Sequence, residues 1–358
     1  MGPPTTTTSE PVATVGAEVA GLSPPAGNAP SASRHRPRVR LLLSYVVTVL
    51  LLITLNFFLP RAMPGDPIDA LTTEGTPSYV QDEAVRSEIR EYYGLDRPLL
   101  TQYGGYLAGL ARGDLGVSIR YNVPVTDLVK ERLPWTVLLI SSALAIAVAG
   151  GWAAGVHSAW RRGRGVDRTL MAAFLALHSF PVFFVASVAV LVFSVKLGWF
   201  PLSGSRTPFS RATNPLWWAL DVGRHLVLPA NVLALNFVTS QYLTMRASLV
   251  GELGSDYLLL GRAKGLPERR LKYRYAGRNA LLPVVTLAAL HLGFAVTGSI
   301  LVETVFAYKG MGRLVFEAVS FRDYPTLAGC FLVLTFVVLT LNFLVEGLYS
   351  RLDPRIAA

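Results

Sequence analysis

The fold is decided by residues 251–283, which read GELGSDYLLLGRAKGLPERRLKYRYAGRNALLP. Basic side chains outnumber acidic ones in this stretch, and apolar runs flank it on both sides. Charged side chains are costly inside a hydrocarbon core. We therefore predict that residues 246–282 form a large polar loop tied to a membrane at both ends.

The same stretch predicts two short helices joined by a hinge. Ser255 or Asp256 can cap the first helix, and Gly265 can end it because glycine adopts the left-handed conformation without steric cost. Pro267 can then open the second helix, where its missing N–H costs nothing.

The first of these helices is predicted to have two unlike faces. The apolar residues of one face are Leu259, Leu260, Ala263 and Leu266. Gly261 and Gly265 stack one turn apart on the other face. We expect the apolar face to rest on the protein's own core and the glycine face to admit the backbone of another protein. This pattern is typical of a docking element and not of a catalytic loop.

Three motifs here resemble the cytoplasmic coupling loop of binding-protein-dependent ABC importer permeases, in the dipeptide, oligopeptide and nickel branch. They are Asp256-Tyr257, Arg262-Ala263-Lys264-Gly265-Leu266 and Arg278-Asn279-Ala280-Leu281-Leu282-Pro283. The chain departs from the family at Gly261, where alanine is usual. The resemblance implies that a coupling helix contacts an ATP-hydrolysing partner through Asp256, Tyr257, Gly261, Arg262, Ala263, Lys264, Gly265 and Leu266.

Further motifs extend the resemblance over residues 40–356. They include Gly113-Asp114-Leu115-Gly116, Glu303-Thr304-Val305-Phe306, Gly310-Met311-Gly312-Arg313-Leu314 and Arg322-Asp323-Tyr324-Pro325. A second departure is Lys309, where relatives usually carry proline, so we expect a less rigid turn before Gly310.

Composition independently indicates a membrane protein. Of the 358 residues, 52% are hydrophobic and 16% charged, whereas soluble domains carry roughly a quarter charged residues. The net charge of +10 resides in short loops beside apolar runs, as the positive-inside rule requires, which argues against a nucleic-acid partner. The single cysteine, Cys330, excludes a disulfide within the chain.

We predict an all-α membrane protein with six transmembrane helices and both termini in the cytoplasm. The first helix lies within residues 34–60, after a disordered cytoplasmic tail (1–33). An extracytoplasmic region (61–133) precedes the transmembrane domain (134–350), and residues 351–358 form a cytoplasmic C-terminus. The remaining spans are expected at about 135–160, 170–195, 226–245, 283–302 and 325–348, with the coupling loop (246–282) between the fourth and fifth.

Smaller features refine this topology. In the extracytoplasmic region, a helix is expected from Ser78 to a stop at Gly94, and an amphipathic one from Leu99 to a stop before Gly113. Asp66 and Asp114 adjoin glycines, which favours turn chemistry over substrate contact. Within the second span, Gly151 and Gly155 lie four residues apart and predict close helix packing.

No Gly-x-x-x-x-Gly-Lys-Ser/Thr phosphate loop and no His-Glu-x-x-His motif occurs in the chain. We therefore expect a transport subunit without its own ATPase site, cofactor or metal, so that partner subunits use the ATP and Mg²⁺.

The resemblance implies the following assembly and activity. A second related permease forms a heterodimer with this chain, two ATP-binding subunits or domains dock below, and an extracytoplasmic substrate-binding protein delivers a peptide. Membrane lipid surrounds the complex in the bacterial plasma membrane. Di- or oligopeptides would cross by alternating access; nickel or another small solute remains an alternative substrate.

The sequence leaves two rival functions, and both have less support. An ion-coupled secondary transporter usually has ionisable residues within its spans, and almost none occur in the predicted cores. An intramembrane hydrolase would need a nucleophile and a base, for which Ser141 or Ser142 with His178 are the only loose candidates. The polar residues Asn231, Asn236, Ser240, Gln241 and Asn342 could line the substrate path or merely join helices.

Overall fold

The computed structural model describes residues 36–62, 83–208 and 214–352. The expected tail at 1–33, Asp66 and residues 353–358 lie outside these ranges. The chain divides into two compact units, Met1–Val49 and Leu50–Ala358, and all contacts given below lie within the second.

Helices account for nearly all regular structure in the described residues, where the one β-bridge joins Val117 and Pro124. The helices are α1 (Arg36–Arg61), α2 (Glu83–Tyr92), α3 (Leu99–Ala111), α4 (Val125–Trp160), α5 (Gly165–His178), α6 (Val182–Lys196), α7 (Pro215–Glu252), α8 (Asp256–Ala263), α9 (Glu268–Arg270, Leu271–Ala276 and Gly277–Asn279), α10 (Leu282–Val305), α11 (Met311–Ser320) and α12 (Tyr324–Leu352). The helical class predicted from sequence is confirmed.

Two described helices, α4 and α7, are long and apolar enough to cross a membrane, and the number rises to four if each of two bent pairs counts as one span. Shorter apolar helices, Val47–Arg61 and Tyr324–Thr340, lie where the first and sixth spans were expected. Six spans and the cytoplasmic placement of the termini therefore stay predictions.

The third expected span is not one straight helix. Helices α5 and α6 meet at an angle of 95°, and Pro181 is the residue that precedes α6. Proline disfavours the α conformation at the residue before it and has no N–H to continue the helix. The region predicted as the third span, at about 170–195, is therefore a bent helix pair, and whether it crosses the membrane as one span stays a prediction.

Helix α7 begins earlier than predicted. The fourth span was predicted at about 226–245, but Pro215 starts a helix of 38 residues that includes Trp217 and Trp218. The Asn214 side chain accepts a hydrogen bond from the backbone N–H of Leu216 (2.9 Å), and proline is well suited to the first helical position. The cap explains why the helix starts here.

The two helices between α1 and α4 end where the sequence predicts, and the predicted start of the first at Ser78 lies outside the described residues. Helix α2 is followed by Gly94 (φ +64°) and α3 by Gly113 (φ +76°), both left-handed. Asp114 Oδ1 accepts a hydrogen bond from the N–H of Gly116 (2.8 Å). This contact confirms turn chemistry at Asp114.

Helices α4 and α7 pack with their backbones almost in contact. A Cβ atom added at Gly151 would lie 2.6 Å from Gln241 Cβ, and one added at Gly155 would lie 2.7 Å from Met245 Cβ. Both distances are well below van der Waals contact. The predicted role of this glycine pair is confirmed, and only residues without side chains fit the seam.

Glu303 occupies a different environment from the one expected. It follows the fifth span predicted at about 283–302, yet α10 continues through it and the side chain is fully buried. Its carboxylate accepts hydrogen bonds from Thr136 Oγ1 (2.8 Å) and from the N–H of Arg313 at the start of α11 (2.9 Å). Gly310 and Gly312 leave the room for it, since a Cβ at either would meet the carboxylate.

An ion pair also connects the turn between α10 and α11 to α4. Lys309, which was expected to loosen this turn, forms an ion pair with Glu131 of α4. The ion pair holds the turn against α4 where a proline ring would have stiffened the backbone.

Asp323 anchors the entry to α12. Its buried carboxylate accepts hydrogen bonds from Ser118 Oγ (2.5 Å), the N–H of Ile119 (3.2 Å) and Thr326 Oγ1 (2.8 Å). These contacts join the segment before α4 to the start of α12, which explains the aspartate in the Arg322–Pro325 motif.

Candidate functional site

The candidate site is the short helix α8 and the elements that hold it against the bundle. Ser255 occupies the N-cap position, but its side chain does not cap the helix. Its hydroxyl instead donates to the carbonyl of Glu252 (2.7 Å). Tyr257 Oη donates to the Glu252 carboxylate (2.5 Å), and burial together with this bond raises the pKa of Tyr257. Both contacts tie the start of α8 to the end of α7.

The end of α8 is a Schellman turn. Gly265 has φ +71°, which confirms the predicted left-handed residue. Its N–H donates to the carbonyl of Arg262 (2.9 Å), and the N–H of Leu266 donates to that of Gly261 (3.1 Å). This pair of bonds satisfies the last helical carbonyls and fixes the hinge geometry.

The orientation of α8 is opposite to the one predicted. Leu258 is fully buried, whereas Leu259 and Leu260 are each 56% exposed. Gly261 also faces inward, because a Cβ there would lie 2.5 Å from Leu271 Cδ2. The helical wheel predicted that the larger group of apolar residues would face the core. The structure turns Gly261 inward instead, because the Leu271 side chain lies so close that only glycine fits there. Ala263 is exposed, and only Leu266 of the expected apolar face packs inward.

A compact apolar cluster receives Leu258. The cluster draws its buried members from α4, α7, α8, α9, α10 and the turn before α10, and they are Val156, Ala159, Met245, Leu249, Leu258, Leu271, Ala276, Ala280 and Val284. A helix of eight residues is marginal in isolation, so this packing and not intrinsic propensity stabilises it.

The remaining predicted contact residues lie on the outer surface. Asp256, Lys264 and Gly265 are exposed, and a Cβ at Gly265 would meet nothing within 4 Å. The face of α8 that points away from the bundle therefore presents Leu259 and Leu260 beside Asp256, Lys264 and the exposed backbone of Gly265.

Arg262 connects α8 to α9 and α4. Its Nε lies 3.6 Å from Glu268 Oε1, and its guanidinium carbon lies 5.8 Å from the centroid of the Trp160 ring. Trp160 Nε1 in turn donates to Glu268 Oε2 (2.9 Å). Arg262, Glu268 and Trp160 therefore link α8, α9 and α4 to one another at the hinge.

An ion pair joins the first turn of α5 to α7, the helix that precedes α8. Arg246 Nε and Nη2 donate to the two carboxylate oxygens of Asp167, each at 2.7 Å. Ser158 and the N–H of Gly163 also donate to this carboxylate, and Ser158 lies 2.7 Å from Tyr242 Oη. Bidentate pairs of this kind fix geometry as well as energy.

Three of the polar candidates for a substrate path make hydrogen bonds within the bundle. Asn231 Nδ2 donates to the carbonyl of Val227 in its own helix (2.7 Å). Gln241 is buried and lies 3.3 Å from His291 Nδ1, while Ser240 lies 3.5 Å from His291 Nε2. These contacts join α7 to α10, as expected for residues that connect helices.

The other two path candidates are less informative. Asn236 lines a small cavity at the α5–α6 break together with His178. Asn342 lies in α12, and its side chain is outside the described part of the structure. The path assignment stays a prediction.

The geometry offers no support for a hydrolase. Ser141 Oγ donates to the carbonyl of Leu138 (3.2 Å) in its own helix, and in the described residues neither Ser141 nor Ser142 forms a hydrogen bond with His178. The same residues contain no group of three or more His, Cys, Asp or Glu side chains placed to hold a metal ion.

Sequence reasoning missed three side chains that organise these contacts: Asp167, Glu303 and His291. Asp167 is the one acidic residue in the arginine-rich stretch 161–168, which is a signal for an ion pair. Glu303 was visible as an acid beside an apolar run. His291 carries no sequence signal, because its partners on α7 are defined only by helix packing.

Comparison with known proteins adds independent information. Residues 129–358 match the family described as binding-protein-dependent transport system inner membrane component. Residues 36–140 match the N-terminal family of the same membrane components.

Individual relatives cover nearly the whole chain. A protein of Brucella suis biovar 1 (strain 1330), provisionally named peptide permease protein, is 38% identical over 90% of this chain and 97% of its own length. The di/tripeptide transport system permease protein DppB of Pseudomonas aeruginosa (strain UCBPP-PA14) is 35% identical over 84% and 93%. The glutathione transport system permease protein GsiC of Escherichia coli O6:H1 (strain CFT073) is 34% identical over 89% and 97%.

Proposed function

This chain belongs to the family of inner membrane components of binding-protein-dependent transport systems, and we propose that it is one membrane subunit of an ATP-driven importer of di- or oligopeptides. The names of its relatives support the substrate class, since they refer to peptides, di- and tripeptides, and the tripeptide glutathione. The family name supports a substrate-binding protein as one partner.

The observation that carries the coupling role is the outward face of α8. Leu259 and Leu260 are each 56% exposed on a helix whose other face is anchored by the fully buried Leu258. An anchored helix that presents adjacent apolar side chains has the form of a helix that docks in a groove of another protein. We assign that groove to an ATP-binding subunit.

The coupling mechanism follows from how α8 is held. ATP-driven closure of two docked ATPase subunits would move α8 as a rigid unit, because its start is bonded to α7 and its end to α9. The Asp167–Arg246 pair would pass this movement to α5. The spans would then open the path outward, and hydrolysis would reset it.

The chain's partners complete the proposed site. A second related permease would form the other wall of the path, and the substrate-binding protein would deliver peptide from outside the cell. ATP and Mg²⁺ would be bound by the ATPase subunits and not by this chain.

The test is reconstitution of the complete importer in proteoliposomes with a labelled dipeptide, dialanine. We expect uptake that requires ATP, the binding protein and the ATPase subunits, and that continues when the proton gradient is dissipated. Uptake driven by a proton gradient without ATP, or cleavage of the peptide without nucleotide, would contradict the proposal. Liposomes that lack the ATPase subunits provide the matched control.

A further inference from the structure

A basic pocket of about 370 Å³ lies between three segments that are distant in sequence. It is formed by the first turns of α4, the loop at 204–208 and the turn at 307–313 between α10 and α11. Its charged lining residues are Arg132, Arg206, Lys309 and Arg313. In the predicted topology all three segments lie at the extracytoplasmic end.

The positive charge of this pocket is only partly neutralised. Lys309 pairs with Glu131, and Arg313 Nε donates to Glu317 Oε1 (2.8 Å). Glu131 also lies within electrostatic range of Arg132 and Arg206, but neither arginine forms an ion pair within the described residues. Two cations therefore remain available on the pocket wall.

Arg132 gives an independent indication that a ligand belongs here. Its Nε atom is buried and has no hydrogen-bond partner among the described residues. A buried donor without an acceptor is costly, and more so when it belongs to a charged group. Arg132 also lines the pocket, so an anion there would offset part of this cost by pairing with the guanidinium charge.

The pocket is preformed. The N–H of Gly204 donates to the carbonyl of Phe306 (2.9 Å), which fastens the loop to the turn, and the adjacent Ser205 is buried. Arg313 Nη1 donates to the carbonyl of Ala307 (2.7 Å) on the same turn. The volume lies within the range of small-molecule sites, roughly 300–1,000 Å³. These features fit a small solute better than a protein surface.

We propose that this pocket binds the carboxylate of a small solute, and that the solute is a peptide whose C-terminal carboxylate pairs with Arg132 and Arg206. The guanidinium fork matches the two oxygens of a carboxylate, which makes arginine suited to this recognition. The anion chemistry rests on the charges and on the unpaired donor, whereas the choice of a peptide rests on the proposed function.

The experiment uses the full chain purified in nanodiscs of phosphatidylcholine, with radiolabelled dialanine measured by equilibrium binding. We expect the substitutions R132Q and R206Q each to weaken binding about tenfold or more, the loss typical of a hydrogen bond to a charged group. R224Q is the matched control, because Arg224 is an exposed arginine of α7 outside the pocket. Dialaninamide, which lacks the carboxylate, should not bind.

Arg206 is exposed, so R206Q keeps the test decisive even if R132Q fails to fold. Unchanged affinity in R206Q, or equal binding of dialaninamide, would overturn the proposal. Loss of dialanine binding when phosphatidylglycerol replaces phosphatidylcholine would show a lipid headgroup site instead. The assay contains no ATPase, so its failure is distinguishable from a failure of the proposed transport function.

Discussion

Truncating the two exposed leucines of α8 tests the docking role most directly. In the double substitution L259A/L260A, alanine keeps a high helix propensity, so α8 should persist. Leu258 still anchors the helix, since it is fully buried. We therefore expect normal membrane insertion and an unchanged melting temperature, together with weaker binding of the ATPase subunits.

The magnitude follows from exposure. Full burial of a leucine side chain stabilises by about 1.5–3 kcal/mol, and each of these leucines has 56% of its surface left to bury on docking. Each would thus contribute roughly 1 kcal/mol, or about 2 kcal/mol together. This corresponds to a dissociation constant raised roughly 30-fold.

The assay is binding of purified ATPase subunits to the permease heterodimer in nanodiscs, measured by biolayer interferometry. L258A is the informative control, because removing a fully buried leucine costs about 2–5 kcal/mol of folding stability. L258A should lower the melting temperature, whereas L259A/L260A should leave it unchanged. The two variants therefore separate a docking surface from a packing surface.

The reasoning would be refuted if L259A/L260A bound the ATPase subunits as tightly as the unchanged chain while remaining folded. The leucines would then lie against lipid or another surface, and α8 would have to dock through a different face.

Three other substitutions test the supporting contacts. D167N should lower the free energy of unfolding by about 3 kcal/mol, since it leaves Arg246 without its carboxylate partner. In denaturant unfolding, the double variant D167N/R246Q should lose less free energy than the two single variants combined; additive losses would contradict a direct pair. G265L places a bulky residue at φ +71°, which costs about 1–2 kcal/mol, and should lower substrate-stimulated ATPase activity, whereas G265N tolerates this conformation and should retain it; equal activities would count against docking at the hinge. G312A would put a Cβ 2.7 Å from the backbone of α10 and should lower the melting temperature, while G223A, where a Cβ meets nothing within 4 Å, should not; equal shifts would argue against close packing at that turn.

Local signals predicted several of the positions where helices end. The stops at Gly94, Gly113 and Gly265 were readable because each needs a left-handed residue, and all three have positive φ. The seam at Gly151 and Gly155 was readable because spacing alone places two glycines on one face.

Orientation was harder to predict, because it depends on residues far away in sequence. The inward face of α8 is set by Leu271, which the helical wheel does not include. The burial of Glu303 likewise depends on Thr136 and on the N-terminus of α11. A pattern within one helix cannot reveal which neighbour leaves room for it.

The glycine seam between α4 and α7 also limits how this protein can change shape. A slip of one residue along the seam would bring the indole of Trp152 to the place where Gly151 now has only a hydrogen atom opposite Gln241. We therefore expect α4 and α7, the two longest described helices, to move together as one rigid unit. If this subunit opens a path, the other helices have to move relative to α4 and α7. We expect that movement at the 95° bend between α5 and α6, just before Pro181.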